Sequence, residues 1–181
     1  MGRVATWDLI VVRGDAFFED LAFVEEGGRT IDDLHLVDGS TTATSQTAQF
    51  TTGDTGKQLM TVAEGVPDGT TMTFVSATQV TLSQAATVSV DGCEAHVRAL
   101  DCSTFTDHLA QLRPYVDGTP AVALTVDDAR AAVGYFTIAL AAELTAALKR
   151  GGVWDWQVTD SGNVWTWLGG DFELEKDVAH A

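Results

Sequence analysis

The chain has 181 residues, 45% of them hydrophobic and 20% charged, with 26 acidic residues against 10 basic ones and a formal net charge of -16. That composition supports one globular domain, or one domain carrying a small insertion, able to bury roughly 70% of its unfolded surface. Every phosphate contact would begin from electrostatic repulsion, so nucleic acid and anionic membranes are excluded as expected partners, and the scattered acids read as a solvated, aggregation-resistant surface.

The apolar run Leu9-Ile10-Val11-Val12 is too short for a targeting segment and ends at Arg13. It reads instead as the core of a first strand over 7–13, with a second strand over 16–24 and the turn Gly14-Asp15 between them, an antiparallel start. Arg13-Gly14-Asp15 spells an adhesion tripeptide, but the turn needs only the Gly-Asp pair, so no adhesion role is drawn from it. After a turn at Glu25-Glu26-Gly27-Gly28 comes a third strand over 31–37, and residues 40–48, nearly all small and polar, read as a connector.

Val66-Pro67-Asp68-Gly69 has turn chemistry, followed by strands over 71–75 and 80–82 around a turn at 76–79. Gly56-Lys57 lacks the spaced glycine, the following hydroxyl residue and the helix of a phosphate loop, and that reading is discarded. Residues 94–98 form a further strand. Residues 104–113 read as a short helix capped by Ser103 or Thr104 and stopped by Pro114, with a loop over 115–120. Residues 122–125 suit a strand, and Thr125 with Asp128 resembles a capping box opening a turn or short helix as far as Gly134. From there two readings compete. Propensity allows one Ala-rich helix over 129–150, whereas the β-branched and aromatic residues at 135–138 favour a strand.

The C-terminal stretch is a hairpin. Two runs rich in Val, Trp and Thr flank Asp160-Ser161-Gly162-Asn163, whose members tolerate left-handed backbone. Alternation places Trp154 with Trp156 on one face and Trp165 with Trp167 on one face, leaving three uses for these rings: core packing, a protein interface, or a stacking platform for sugars. The interface candidates are Trp156, Trp165 and Trp167.

The pattern Trp154-Asp155, Gln157-Val158-Thr159-Asp160, Gly162-Asn163-Val164, then Gly170 and Phe172, resembles the closing hairpin of a β-sandwich domain of minor tail and baseplate proteins of tailed bacteriophages. The stretch from Phe50 through Asp54, Gly56-Lys57, Gly65-Val66-Pro67 and 70–88 is similar to a short β module of phage structural proteins. The resemblance covers about 5–38 and 93–178, with the module inside a loop, and departs from the family pattern at Trp156, Trp165 and Trp167. It implies a strand over 134–140 and a short helical turn at 142–149. The implied fold is mainly β, an immunoglobulin-like antiparallel β-sandwich from 1–42 and 91–181 with a small all-β insertion at 43–90 and one or two short helices.

No catalytic constellation accompanies this pattern. His35, His96, His108 and His180 show no metal-ligand spacing, and the adjacent pairs Asp32-Asp33 and Asp127-Asp128 do not converge on one atom. No nucleophile elbow occurs, and nothing near Cys102 suggests activation. Cys93 and Cys102 are too few for a disulfide framework and are expected as buried thiols. The expectation is a non-enzymatic virion protein without metal or cofactor, made in the host cytoplasm without a signal peptide. In the family resembled, the sandwich commonly carries a fibre; here the chain stops soon after the hairpin, which suits an accessory tail subunit or head decoration protein docking onto capsid or tail subunits, or onto itself. The alternative is a glycan-binding module attaching to the host surface.

Overall fold

A computed structural model describes residues 5–63, 65–114 and 122–176. The fold is mainly β and sandwich-like, with 59% of those residues in strands and 7% in helix. In chain order the strands are β1 (Ala5–Thr6), β2 (Leu9–Val12), β3 (Phe17–Ala22), β4 (Val24–Leu36), β5 (Thr42–Thr44), β6 (Leu59–Thr61), β7 (Met72–Ser76), β8 (Gln79–Leu82), β9 (Val90–Ala99), β10 (Phe105–Arg113), β11 (Val122–Arg130), β12 (Tyr135–Leu140), β13 (Gly152–Asp160) and β14 (Asn163–Glu175). One helix, α1 (Ala142–Ala147), precedes β13, and single 3-10 turns sit at Thr52–Asp54 and Ala131–Val133. The chain divides into two compact units, one of Met1–Leu21, Thr104–Ala129 and Phe136–Ala181, the other of Ala22–Ser103 and Arg130–Tyr135.

The first unit is built on one sheet in the order β1-β14-β13-β10-β11-β12-β3, with β2 also on β14. β12 shows why it is a strand: Phe136, Ile138 and Leu140 are buried in strict alternation, and β13 repeats the pattern with Trp154, Trp156 and Val158. Its two end strands, β2 and β3, are consecutive in the chain and joined only by residues 13–16, so the sheet has to curl. The indole of Trp7, just before β2, donates to Glu19 Oε1 of β3 at 3.1 Å across that near-closure. The resulting core holds Leu9, Val11, Phe17, Leu21, Leu112, Phe136, Ile138, Trp156 and Leu168.

The second unit is an antiparallel sheet in the order β6-β9-β4-β5-β8-β7. Leu34, Leu36, Leu59, Met72, Val80 and Val97 lead its core. The connector after β5 is pinned by Asp33 of β4, which accepts hydrogen bonds from Ser45 Oγ, Thr47 Oγ1 and the backbone amides of Gln46 and Thr47. The hydrogen bonds from the Ser45 and Thr47 side chains, aided by those amides, outweigh the opposing effect of burial and hold the Asp33 carboxyl at about 2.

Several expectations are corrected. The start is not an antiparallel hairpin: β2 runs parallel to β14 and β3 lies beside β12, because burial of Leu9, Val11, Phe17 and Leu21 outweighs the local turn. Residues 25–28 do not end a strand, since β4 runs through them and absorbs the extra residues as a bulge opposite Val97 and Ala99, with Gly27 at φ 76°. Residues 105–113 are strand β10, not helix. Its pairing shifts register between Thr106 and Leu109, with Asp107 at φ 51°, and this irregularity disguises the alternation of Ala110 and Leu112. β11 likewise continues to Arg130, leaving only Ala131–Val133 helical before Gly134. The strand expected over 134–140 and the helical turn over 142–149 are present as β12 and α1. Segment 43–90 supplies β5 to β8 to a sheet whose longest strands, β4 and β9, come from outside it. The loop expected over 115–120 lies outside the described residues.

Candidate functional site: the aromatic hairpin

The hairpin joining β13 and β14 pairs Asp160 with Asn163 and turns through Ser161 at φ 50° and Gly162 at φ 79°. Positive φ at both central residues is the signature of a type I′ turn, whose twist matches that of the strands it connects. Thr104 Oγ1 and Ser161 Oγ donate to Asp160 Oδ1 at 3.0 and 3.2 Å, tying the turn to the start of β10.

One irregularity organises the aromatic residues. Trp156 pairs with Leu168 but Gln157 pairs with Thr166, so Trp167 is an extra residue bulged out of the β14 ladder. The bulge lays its ring on Trp156, centroids 5.8 Å apart and 25° from parallel, and edge-on to Phe105 at 4.2 Å. Trp156 in turn meets Phe136 edge-to-face at 5.0 Å, and the His108 ring lies 5.6 Å from both. Contacts of this geometry contribute about 0.5–1.5 kcal/mol each beyond area burial. A continuous aromatic ladder thus runs from the core toward the hairpin end. Trp154 is also buried, and its Nε1–H donates to the Trp7 carbonyl at 2.6 Å.

The three interface candidates separate. Trp156 is 0% exposed and belongs to the core, so it cannot contact a partner. Trp167 is half-buried within the ladder. Trp165, opposite Val158, is 52% exposed, and its neighbour Val164 is 68% exposed. The outward apolar surface of the hairpin is therefore its turn end, at Val164 and Trp165. The bulge at Trp167, which draws one ring of the expected pair into the ladder, has no sequence signal in simple alternation.

The described histidines and the two cysteines are dispersed along the chain. Thr30 Oγ1 lies 3.0 Å from His96 Nδ1, and burial, only partly opposed by Glu94, lowers the His96 pKa. His108 Nε2 is 3.4 Å from Asp128, and His35 lies 3.3 Å from Asp91; His180 is outside the described residues. Among the described residues, no group of three His, Cys, Asp or Glu side chains is placed to hold a metal ion. Cys93 and Cys102 are not disulfide-bonded; Cys102 is buried, and Cys93 is half-buried with its thiol pKa raised by burial.

Two ionic centres in the second unit escaped the sequence reading. Asp54, 0% exposed, receives Arg98 Nε at 2.6 Å, Arg29 Nη2 at 3.1 Å and the Thr51 amide at 2.8 Å. Burial pushes its pKa up, yet these hydrogen bonds more than reverse the effect and hold it at about 2. Arg130 grips Asp68 through Nε and Nη2 at 3.0 and 2.7 Å, donates to the Thr61 and Val62 carbonyls, and lies 5.0 Å from the Tyr135 ring centroid. It borders a surface cleft of about 580 Å³ beside Pro67 and Thr87. With its donors so engaged, Arg130 presents no open cation to an anionic ligand.

A scan against protein-family models found no match, and a search of curated proteins found none either.

Proposed function

We propose that this chain is a non-enzymatic structural subunit of a tailed-phage virion, an accessory component of tail or head that acts by docking onto other virion proteins. The observation that carries the reading is the hairpin: its motif resembles that of the phage sandwich family, and its turn end presents Val164 and Trp165 to solvent in front of a rigid aromatic ladder. Exposed aromatics on a pre-organised scaffold are the usual anchors of protein interfaces, since they bury area at little entropic cost. The many copies imposed by particle symmetry let weak single contacts suffice.

Immunogold electron microscopy of purified virions with an antibody to this protein tests the reading. Label over the capsid places the subunit on the head, label on the tail makes it a tail component, and unlabelled particles overturn a virion role. Glycan binding through Trp165 is the competing use of the same ring. It requires sugar-dependent tryptophan fluorescence that Trp165→Ala abolishes.

A further inference from the structure

In the second unit, Thr30 of β4 stands directly opposite His96 of β9, and its hydroxyl lies 3.0 Å from His96 Nδ1. The other ring nitrogen, Nε2, faces Glu94 Oε1 at 3.6 Å, from two residues back on the same strand. The His96 side chain is only 9% exposed, whereas Thr30 and Glu94 reach solvent. Both line a surface cleft of about 470 Å³, together with Arg29, Asp32 and Thr47. The imidazole thus lies behind the hydroxyl it touches, and the hydroxyl belongs to the cleft wall.

A hydroxyl held by a neutral imidazole whose far nitrogen meets a carboxylate is an activated nucleophile: the ring accepts the proton, and the carboxylate favours the tautomer that leaves Nδ1 free to do so. Burial favours the uncharged ring that this role needs, and Glu94 opposes it only in part. The other charged neighbours are Arg29 and Asp32 on β4 and Arg98 on β9, with both arginines committed to Asp54; Met60, opposite His96 on β6, is uncharged. We propose that Thr30 is a covalent acceptor site for the acyl group of a neutral ester or thioester seated in this cleft. Thr30 Oγ1 bonds to the acyl carbon as its proton passes to His96 Nδ1. The bond from that carbon to the leaving oxygen or sulfur breaks, the electron pair goes with the leaving atom, and that atom takes the proton from His96. Nothing is oxidised or reduced. Asp32 and Glu94 at the cleft, against one cation already paired, disfavour an anionic donor. Each chain takes up one acyl group, so the site adds a covalent attachment point to a docking subunit and stands or falls separately from the hairpin end.

The test incubates the full chain with p-nitrophenyl acetate and, separately, with an acetyl thioester, and maps the adducts by peptide mass spectrometry. An acetyl ester on Thr30 is expected, released by hydroxylamine, which leaves amides formed on lysines intact. Its rate of formation should rise with pH only until His96 is neutral and level off by about pH 7, whereas a hydroxyl without the ring keeps accelerating with hydroxide. Thr30→Val should abolish the ester, and His96→Gln should slow it at least ~100-fold, the lower end of general-base assistance. Glu94→Gln removes the group that raises the His96 pKa, so the rise should move to lower pH. Thr47 lines the same cleft with its hydroxyl donated to Asp33, and as the internal control it should stay unlabelled, which decides the case even where His96→Gln fails to fold. No ester on Thr30, equal labelling of Thr47, a folded His96→Gln protein that reacts at the wild-type rate, or a rate that climbs without levelling each overturns the proposal.

Discussion

Replacing Asp54 by Asn keeps the shape of the side chain and removes its charge. Arg29 and Arg98 then converge on a neutral amide that retains one acceptor oxygen where the carboxylate offered two. Breaking a fully buried pair costs about 3–5 kcal/mol, but here the arginine side chains are 28% and 19% exposed and can recover some hydration, so ~2–3 kcal/mol is expected at neutral pH. The pH dependence supplies an independent check. The carboxyl falls from 3.8 to about 2 on folding, a shift worth ~2 kcal/mol at full weight and ~1 kcal/mol once screened at the arginines. A depressed folded pKa stabilises above the unfolded value, so this contribution is complete above about pH 4 and is lost as the pH falls toward 2. The gap between wild type and Asp54→Asn should therefore narrow by ~1 kcal/mol across that window, other titrations being common to both proteins. Urea unfolding followed by far-UV circular dichroism, with amide exchange on β4 and β9, gives the readout. Tryptophan fluorescence does not, because Trp7, Trp154, Trp156, Trp165 and Trp167 all belong to the first unit. A loss below ~1 kcal/mol at neutral pH, or a gap that stays constant in acid, refutes the reasoning.

The hairpin offers a paired contrast. Trp156→Ala removes the middle of the aromatic ladder and should cost ~3–5 kcal/mol, whereas Trp165→Ala should cost under ~1 kcal/mol, both read from urea midpoints; similar losses would mean that Trp165 packs as core. Gly134→Ala is expected to destabilise by at least ~2 kcal/mol, because the residue sits at φ 67° and a β-carbon would lie 2.5 Å from the Leu100 carbonyl and 2.8 Å from that of Phe23. A thermal midpoint within a degree or so of wild type would contradict that geometry. Cys93 should react with a disulfide reagent more slowly than a free thiol in peptide at the same pH, since burial raises its pKa; equal rates would show that the thiol is more accessible than its surroundings imply.

Local chemistry was readable where one short segment determines its own conformation. Asp160-Ser161-Gly162-Asn163 specifies its turn, and alternation puts Trp154 and Trp156 on one face of β13 without saying which face is buried, so Trp156, expected at an interface, lies in the core. Reading failed where distant partners decide. Nothing near Leu9 indicates that β2 will run parallel to β14, because that choice is made by a strand more than a hundred and fifty residues away. β10 resembles a helix since its register slip at Thr106 and Leu109 breaks the two-residue period that would identify a strand. The Asp54 centre was invisible for a related reason. Arg29, Asp54 and Arg98 are far apart in sequence and have no motif in common, and only the pairing of β4 with β9 brings the two arginines to one carboxylate.

The distribution of charge connects these observations to assembly. Cations are scarce, and the fold commits most of the described ones internally: Arg29 and Arg98 to Asp54, Lys57 to Glu25, Arg113 to Asp155 and Arg130 to Asp68. These five cations engage four carboxylates, since Arg29 and Arg98 share Asp54, so the surplus of carboxylates remains on the surface and dominates its long-range field. At neutral pH that field opposes contact between copies wherever carboxylates face one another. It accelerates and selects partners that bring Lys or Arg, an effect that weakens as salt rises. Uncharged apolar surface escapes that repulsion, and Val164 with Trp165 forms such a surface at the hairpin end. Two kinds of contact are thus separable by ionic strength: docking of a cationic partner on the carboxylate surface should weaken as salt rises from 50 to 500 mM, while apolar contact at the hairpin end should hold or strengthen. Sedimentation velocity across that range, with and without a polylysine partner, distinguishes them, and equal salt dependence of both would contradict this division of roles.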